Sequence, residues 1–132
     1  MSAVAFSGFD HVQLTVPEGV EAACRDFYVG LLGLAEIERP EAARRRSVLW
    51  VDLGGQGLHF RPDPDFRPSP FAHPAILVRG LEALAARLRT AGYDVTTEQS
   101  IGPGRFHVRD PFGNRLEFIE AESPDREGKT SP

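Results

Sequence analysis

FDHVQLTV (residues 9–16) and FAHPAILV (71–78) decide the fold, because one reads as a second copy of the other. In the first, Val12, Leu14 and Val16 fall on one side of an extended chain, and Phe9, His11, Gln13 and Thr15 on the other. That alternation is the mark of a strand with one face on a core. At an offset of 62, Phe9 aligns with Phe71, His11 with His73, Val16 with Val78, Arg25 with Arg87 and Gly30 with Gly92. A second match follows at an offset of 58, where VDLGGQGLHF (51–60) aligns with RDPFGNRLEF (109–118). It pairs Asp52 with Asp110, Gly55 with Gly113, Leu58 with Leu116 and Phe60 with Phe118. The change of offset is read as a shorter connection in the second copy. A duplicated module is therefore the first conclusion.

The elements between these anchors are the same in both copies. Pro17 suits the start of a helix, and Val20, Cys24, Phe27 and Leu31 recur every three to four residues before Gly33, predicting a helix over 18–32. Ala35–Glu38 reads as a short strand and RPEAARRR (39–46) as an exposed connection. SVLWVDL (47–53) and GLHFRP (57–62) form a hairpin around glycines. PDPDFRPSPF (62–71) carries four prolines, which forbid a helix or central strand, so it is an extended connector. Beyond FAHPAILV come a helix over 81–91, a short strand over 94–97, and a hairpin of RFHVRD and RLEFIE around DPFGN. The order β-α-β-β-β thus occurs twice, an α+β architecture of two paired modules at about 8–61 and 71–120. Residues 122–132 read as a disordered tail.

Composition fits one ordinary globular domain of 132 residues, with 41% hydrophobic and 26% charged residues. The net charge of −4 and the absence of a basic patch beyond Arg44–Arg46 exclude nucleic acid and an anionic membrane as expected partners. No apolar run approaches the roughly 20 residues of a membrane span, and MSAVAFSGFDH lacks the layout of a signal peptide. The single cysteine, Cys24, leaves no internal disulfide and no Cys-rich zinc motif, and it is expected on the buried stripe of the first helix. A cytoplasmic protein is expected.

Chemistry is expected on the faces turned away from the aliphatic core. His11 and His73 stand on the first strands, His59 lies between Leu58 and Phe60, and Glu117 lies between Leu116 and Phe118. If each aliphatic face packs on its helix, these four project from the other face, and two sheets side by side would enclose a cleft into which they converge. Imidazoles and a carboxylate suit a borderline divalent metal. His107, which the offset of 58 sets against Leu49, is read as structural or exposed. Trp50 either lines the cleft or fills the core. Arg44–Arg46 reads as a solvated segment, with Arg61 the better candidate to touch an anionic substrate.

FDHVQLTVP followed by FYVGLLGL, then HPAILV, then DPFGNRLEFIE, resembles the vicinal-oxygen-chelate superfamily over about residues 8–120. That superfamily includes glyoxalase I, fosfomycin- and bleomycin-resistance proteins, methylmalonyl-CoA epimerase and extradiol dioxygenases. The resemblance implies a glyoxalase-like fold of paired βαβββ modules forming a cleft, usually in a homodimer. It also implies metal ligands on the first and last strands of each module, here His11, His59, His73 and Glu117. The subset His11, His73 and Glu117 matches the two-His-one-carboxylate arrangement of the fosfomycin-resistance and dioxygenase branches. Glyoxalase I more usually has a carboxylate or glutamine at the place of His59.

The expectation is a metal-dependent enzyme that binds vicinal oxygens of a small substrate on iron, manganese, nickel, zinc or cobalt, with lyase, isomerase or dioxygenase chemistry. Glu117 would be a ligand or a catalytic base. Gln13, Thr15, Arg61, Ala75, Leu77 and Ile119 are expected to contact substrate. The alternative is a non-catalytic drug- or metabolite-binding protein of the bleomycin-resistance kind.

Overall fold

A strand whose alternate side chains are aliphatic must lay them on something, and in both halves of this chain that something is a helix. The computed structural model describes residues 2–98, 100–102 and 104–122; the expected tail falls almost wholly outside them. The chain divides into two units at Phe66/Arg67, within the proline-rich connector.

In the first unit, β1 (His11–Val16), β2 (Ala35–Glu36), β3 (Leu49–Asp52) and β4 (Gly57–Pro62) form a sheet in the order β1-β4-β3-β2. β1 runs parallel to β4, and the other pairs are antiparallel. Helix α1 (Glu21–Arg25) continues into a π-helical turn over Asp26–Leu31, where the sequence predicts a plain α-helix. That wider turn accompanies burial of the adjacent Phe27 and Tyr28 together with Cys24. The Tyr28 ring meets Phe60 at 4.2 Å, over a floor of buried Leu49, Val51 and Leu58. A short helix, α2 (Glu41–Arg44), lies in the stretch read as a plain connection.

The second unit repeats the plan. β5 (Ala75–Val78), β6 (Thr96–Thr97), β7 (Arg105–Arg109) and β8 (Arg115–Glu120) pair in the order β5-β8-β7-β6, with α3 (Leu81–Thr90) between β5 and β6. Leu81, Leu84, Ala85 and Leu88 of α3 are buried with Ile76, Phe106, Val108, Leu116 and Phe118. Each buried side chain of this size contributes roughly 1.5–3 kcal/mol. The expected α+β fold of two βαβββ modules is therefore present. One boundary is corrected: β5 begins at Ala75, so His73 precedes the strand. Pro74 has no N–H for the ladder, and Ser69 Oγ accepts the Ala72 N–H at 3.0 Å, turning the chain just before it.

Candidate functional site

On the first sheet, pairing sets Gln13 and Trp50 on either side of His59, and His11 and Asp52 on either side of Gly57. These residues share the face opposite the aliphatic one. The rings close on each other: His59 is stacked at 3.9 Å on Trp50 with 4° between planes, and at 4.2 Å on His11. His59 is thereby buried although it faces away from the helix. Gly57 makes the stack fit, because a Cβ there would lie 2.8 Å from His59 Nε2 and 3.1 Å from the His11 Cβ. Burial first, and the neighbouring His11 second, hold the His59 pKa below the usual histidine value, so the ring stays neutral. Trp50 lines a pocket of about 560 Å³ together with Gln13, Arg46 and Arg61. Its indole N–H donates to Ser47 Oγ at 3.0 Å, and that hydroxyl donates to the Phe60 carbonyl at 2.9 Å.

On the second sheet the centre is a carboxylate. Glu117 sits between Leu116 and Phe118 on β8 and faces away from them, yet it is buried. Register places His107 directly opposite it, and Arg105 follows two residues away on the same side of β7. Glu117 Oε2 accepts from Arg105 Nη1 at 2.9 Å, while Oε1 lies 2.9 Å from His73 Nε2 and 3.5 Å from His107 Nε2. Burial pushes the Glu117 carboxyl up, but the hydrogen bonds from His73 and Arg105 outweigh it and hold the group below the usual carboxylate range. Burial, then the nearby Arg115, lowers the His107 pKa.

This donor set fits a metal. His73, His107 and Glu117 each offer one ligand atom, and the three atoms lie within 4.8 Å of one another. His73 Nδ1 lies 2.7 Å from the Phe71 carbonyl, which can only accept, so Nδ1 carries the proton. In the ion-free chain Nε2 donates to Glu117 Oε1, and a cation bound there would replace that proton and take the Nε2 lone pair. Anchoring the far nitrogen on a carbonyl is also how metal-binding imidazoles are oriented. His11 is held in the same way, with Nδ1 2.8 Å from Asp10 Oδ2. His59 is held differently. A metal lies in the plane of a ligating ring, so two stacked rings cannot both serve one ion unless His59 turns.

The structure thus brings His73 to Glu117 in the second unit and His11 to His59 in the first. Of the residues expected to touch substrate, Gln13 and Arg61 line the pocket, and Thr15 is half-buried one pair further along β1. Ala75 and Leu77 are exposed on β5, and Ile119 is half-buried beside Leu77. His107 corrects the sequence reading. Its counterpart is Trp50, the cross-strand partner of His59, and not the core residue Leu49. The turn between β7 and β8 (110–114) is one residue longer than that between β3 and β4 (53–56), so the offset before the turn differs from that after it. A slip of one residue moves a side chain to the other face of a sheet. The signal was the length of DPFGN against LGGQ.

A family model described as the Glyoxalase/Bleomycin resistance protein/Dioxygenase superfamily matches residues 8–118. No curated protein sequence matches. Among solved structures, a glyoxalase family protein from Bacillus anthracis is 35% identical with a TM-score of 0.83, over 92% of this chain and 100% of that one. A glyoxalase family protein from Enterococcus faecalis is 25% identical with a TM-score of 0.66, over 87% and 98%. Lactoylglutathione lyase from Agrobacterium tumefaciens, at 17% identity and a TM-score of 0.65 over 87% and 94%, shares the fold. With the family model spanning both βαβββ units, the chain belongs to the glyoxalase/bleomycin resistance protein/dioxygenase superfamily.

Proposed function

We propose that this chain is a metal-dependent enzyme of the vicinal-oxygen-chelate type, acting on a small molecule by lyase, isomerase or dioxygenase chemistry. The observation that carries the reading is the convergence of His73, His107 and Glu117 within 4.8 Å. A divalent ion bound there supplies Lewis-acid polarisation of adjacent substrate oxygens. Arg105 holds Oε2 of Glu117, keeps the carboxylate ionised and leaves Oε1 as the atom that ligates or takes a proton. The Phe71 carbonyl fixes the His73 tautomer, and His107 stays neutral with a lone pair to offer. From the sequence resemblance, His11 and His59 are proposed as further ligands. Family habit and the exposed edge strands β1 and β5 support a homodimer. Phe6 and Phe9, 97% and 76% exposed in the segment that precedes β1, support the same reading.

One observation favours the alternative of a non-catalytic binding protein: Arg105 and His73 already satisfy Glu117 without an ion. Calorimetric titration of chelator-stripped protein separates the two readings. Wild type is expected to take up one zinc, manganese, nickel, cobalt or ferrous ion per chain. His73→Ala and His107→Ala should each weaken uptake by at least about tenfold, or roughly 1.4 kcal/mol. No uptake by wild type of any of these ions would favour the binding protein.

A further inference from the structure

The pocket of about 560 Å³ on the first unit is polarised along its length. Asp10 and Asp52 stand at the end where β4 begins, since Gly57 pairs with His11 and Asp52. Arg46 and Arg61 stand at the other end, where the Val48 N–H donates to the Phe60 carbonyl at 2.8 Å and draws residues 46–48 alongside β4. From Gly57 to Arg61 the strand rises about 13 Å. Trp50, Ile37 and Ala43 supply apolar lining.

The two ends differ in how they are satisfied. Asp10 Oδ2 accepts from His11 Nδ1–H at 2.8 Å, and Asp52 Oδ1 accepts the Gly55 N–H at 2.9 Å. Arg25, Arg39 and Arg44 of this unit are each engaged, by Glu36, by the Ser47 carbonyl, and by the Arg39 carbonyl and Glu38. Among the described residues, the Arg46 and Arg61 guanidiniums make no hydrogen bond or ion pair. An anion in the pocket would supply both guanidiniums with the partner they lack among the described residues. Their planar forks match the two oxygens of a carboxylate. The aspartates at the far end disfavour a second negative group on the same ligand.

We propose that this pocket binds a small organic monocarboxylate, with its apolar body against Trp50 and Ile37 and its carboxylate at Arg46 and Arg61. The inference stands on the first unit alone and goes beyond the metal reading, so it holds for metal-free protein as well. Trp50, the single tryptophan of the chain, reports on the site. The test is fluorescence titration of the full chain in chelator with phenylacetate, its neutral isostere phenylacetamide, and phenyl phosphate.

Phenylacetate is expected to change Trp50 emission saturably, and phenylacetamide to bind at least about tenfold more weakly. Arg46→Gln and Arg61→Gln should each weaken phenylacetate several-fold, and the double variant should abolish saturation. Arg89→Gln, on the exposed side of α3, should change nothing. Neither pocket arginine has a partner to lose among the described residues, so both variants should melt at the wild-type temperature. Equal binding of acid and amide, an unaffected double variant, or no saturable response to phenylacetate would overturn the proposal. Tighter binding of phenyl phosphate would overturn the choice of carboxylate. Failure of the metal reading appears in metal uptake and leaves these outcomes unchanged.

Discussion

At the scale of single residues, the site depends on what is missing as much as on what is present. Gly57 is the clearest case, since a methyl group there would collide with His59. Gly57→Ala is expected to push His59 off the Trp50 ring. The cost should be about 1–3 kcal/mol, as for other overpacked positions. Chemical denaturation followed by Trp50 emission measures both effects, and wild-type emission with unchanged stability would contradict this account of the stack. The same histidine gives a pH dependence. Its folded pKa is held below that of the unfolded chain, so the unfolded state binds more protons as pH falls through the unfolded value near 6.5. Stability contributed by neutral His59 is present above that pH and is lost progressively below it. Metal-free wild type should therefore lose more stability between pH 7 and 5 than His59→Gln does, and equal losses in thermal melts would contradict the assignment.

At the scale of elements, the strands were legible because alternation survives in them: GLHFRP and RLEFIE are β4 and β8 with the boundaries read from sequence. The start of β5 was not, since FAHPAILV alternates through Pro74 while the ladder cannot. The π-helical turn at Asp26–Leu31 was also hidden, because periods of three to four residues describe an α-helix and do not register one wider turn. His107 was lost to turn length. Glu117, His73, His11 and His59 were legible as residues opposite an aliphatic face, whereas the Arg105–Glu117 ion pair was not, because period two gives a face and not a partner. A helix–strand contact offers a separate test. Glu120 at the end of β8 accepts the Leu81 N–H at 2.9 Å and the Gly80 N–H at 3.2 Å, capping α3 from outside the helix. Glu120→Ala should cost about 0.5–2 kcal/mol, the range for a lost N-terminal cap. A calorimetric melt at the wild-type temperature would show that the cap contributes nothing.

At the scale of the whole molecule, duplication explains why one half can carry a histidine–carboxylate cluster and the other an aromatic stack on the same frame. Equivalent positions hold His73 and His11, Glu117 and His59, His107 and Trp50. Val4, Phe6 and Phe9 are exposed in the segment that leads into edge strand β1, so light scattering at micromolar concentration is expected to give twice the chain mass. A stable monomer would contradict the proposed homodimer. The proposed metal is measured by plasma mass spectrometry of untagged protein purified without chelator, beside a His73→Ala, Glu117→Gln double variant. Wild type is expected to carry about one transition-metal ion per chain and the variant none, with the element narrowing the reaction class. Wild type without metal, both as purified and after incubation with iron, manganese, nickel, zinc or cobalt, would contradict the metal reading.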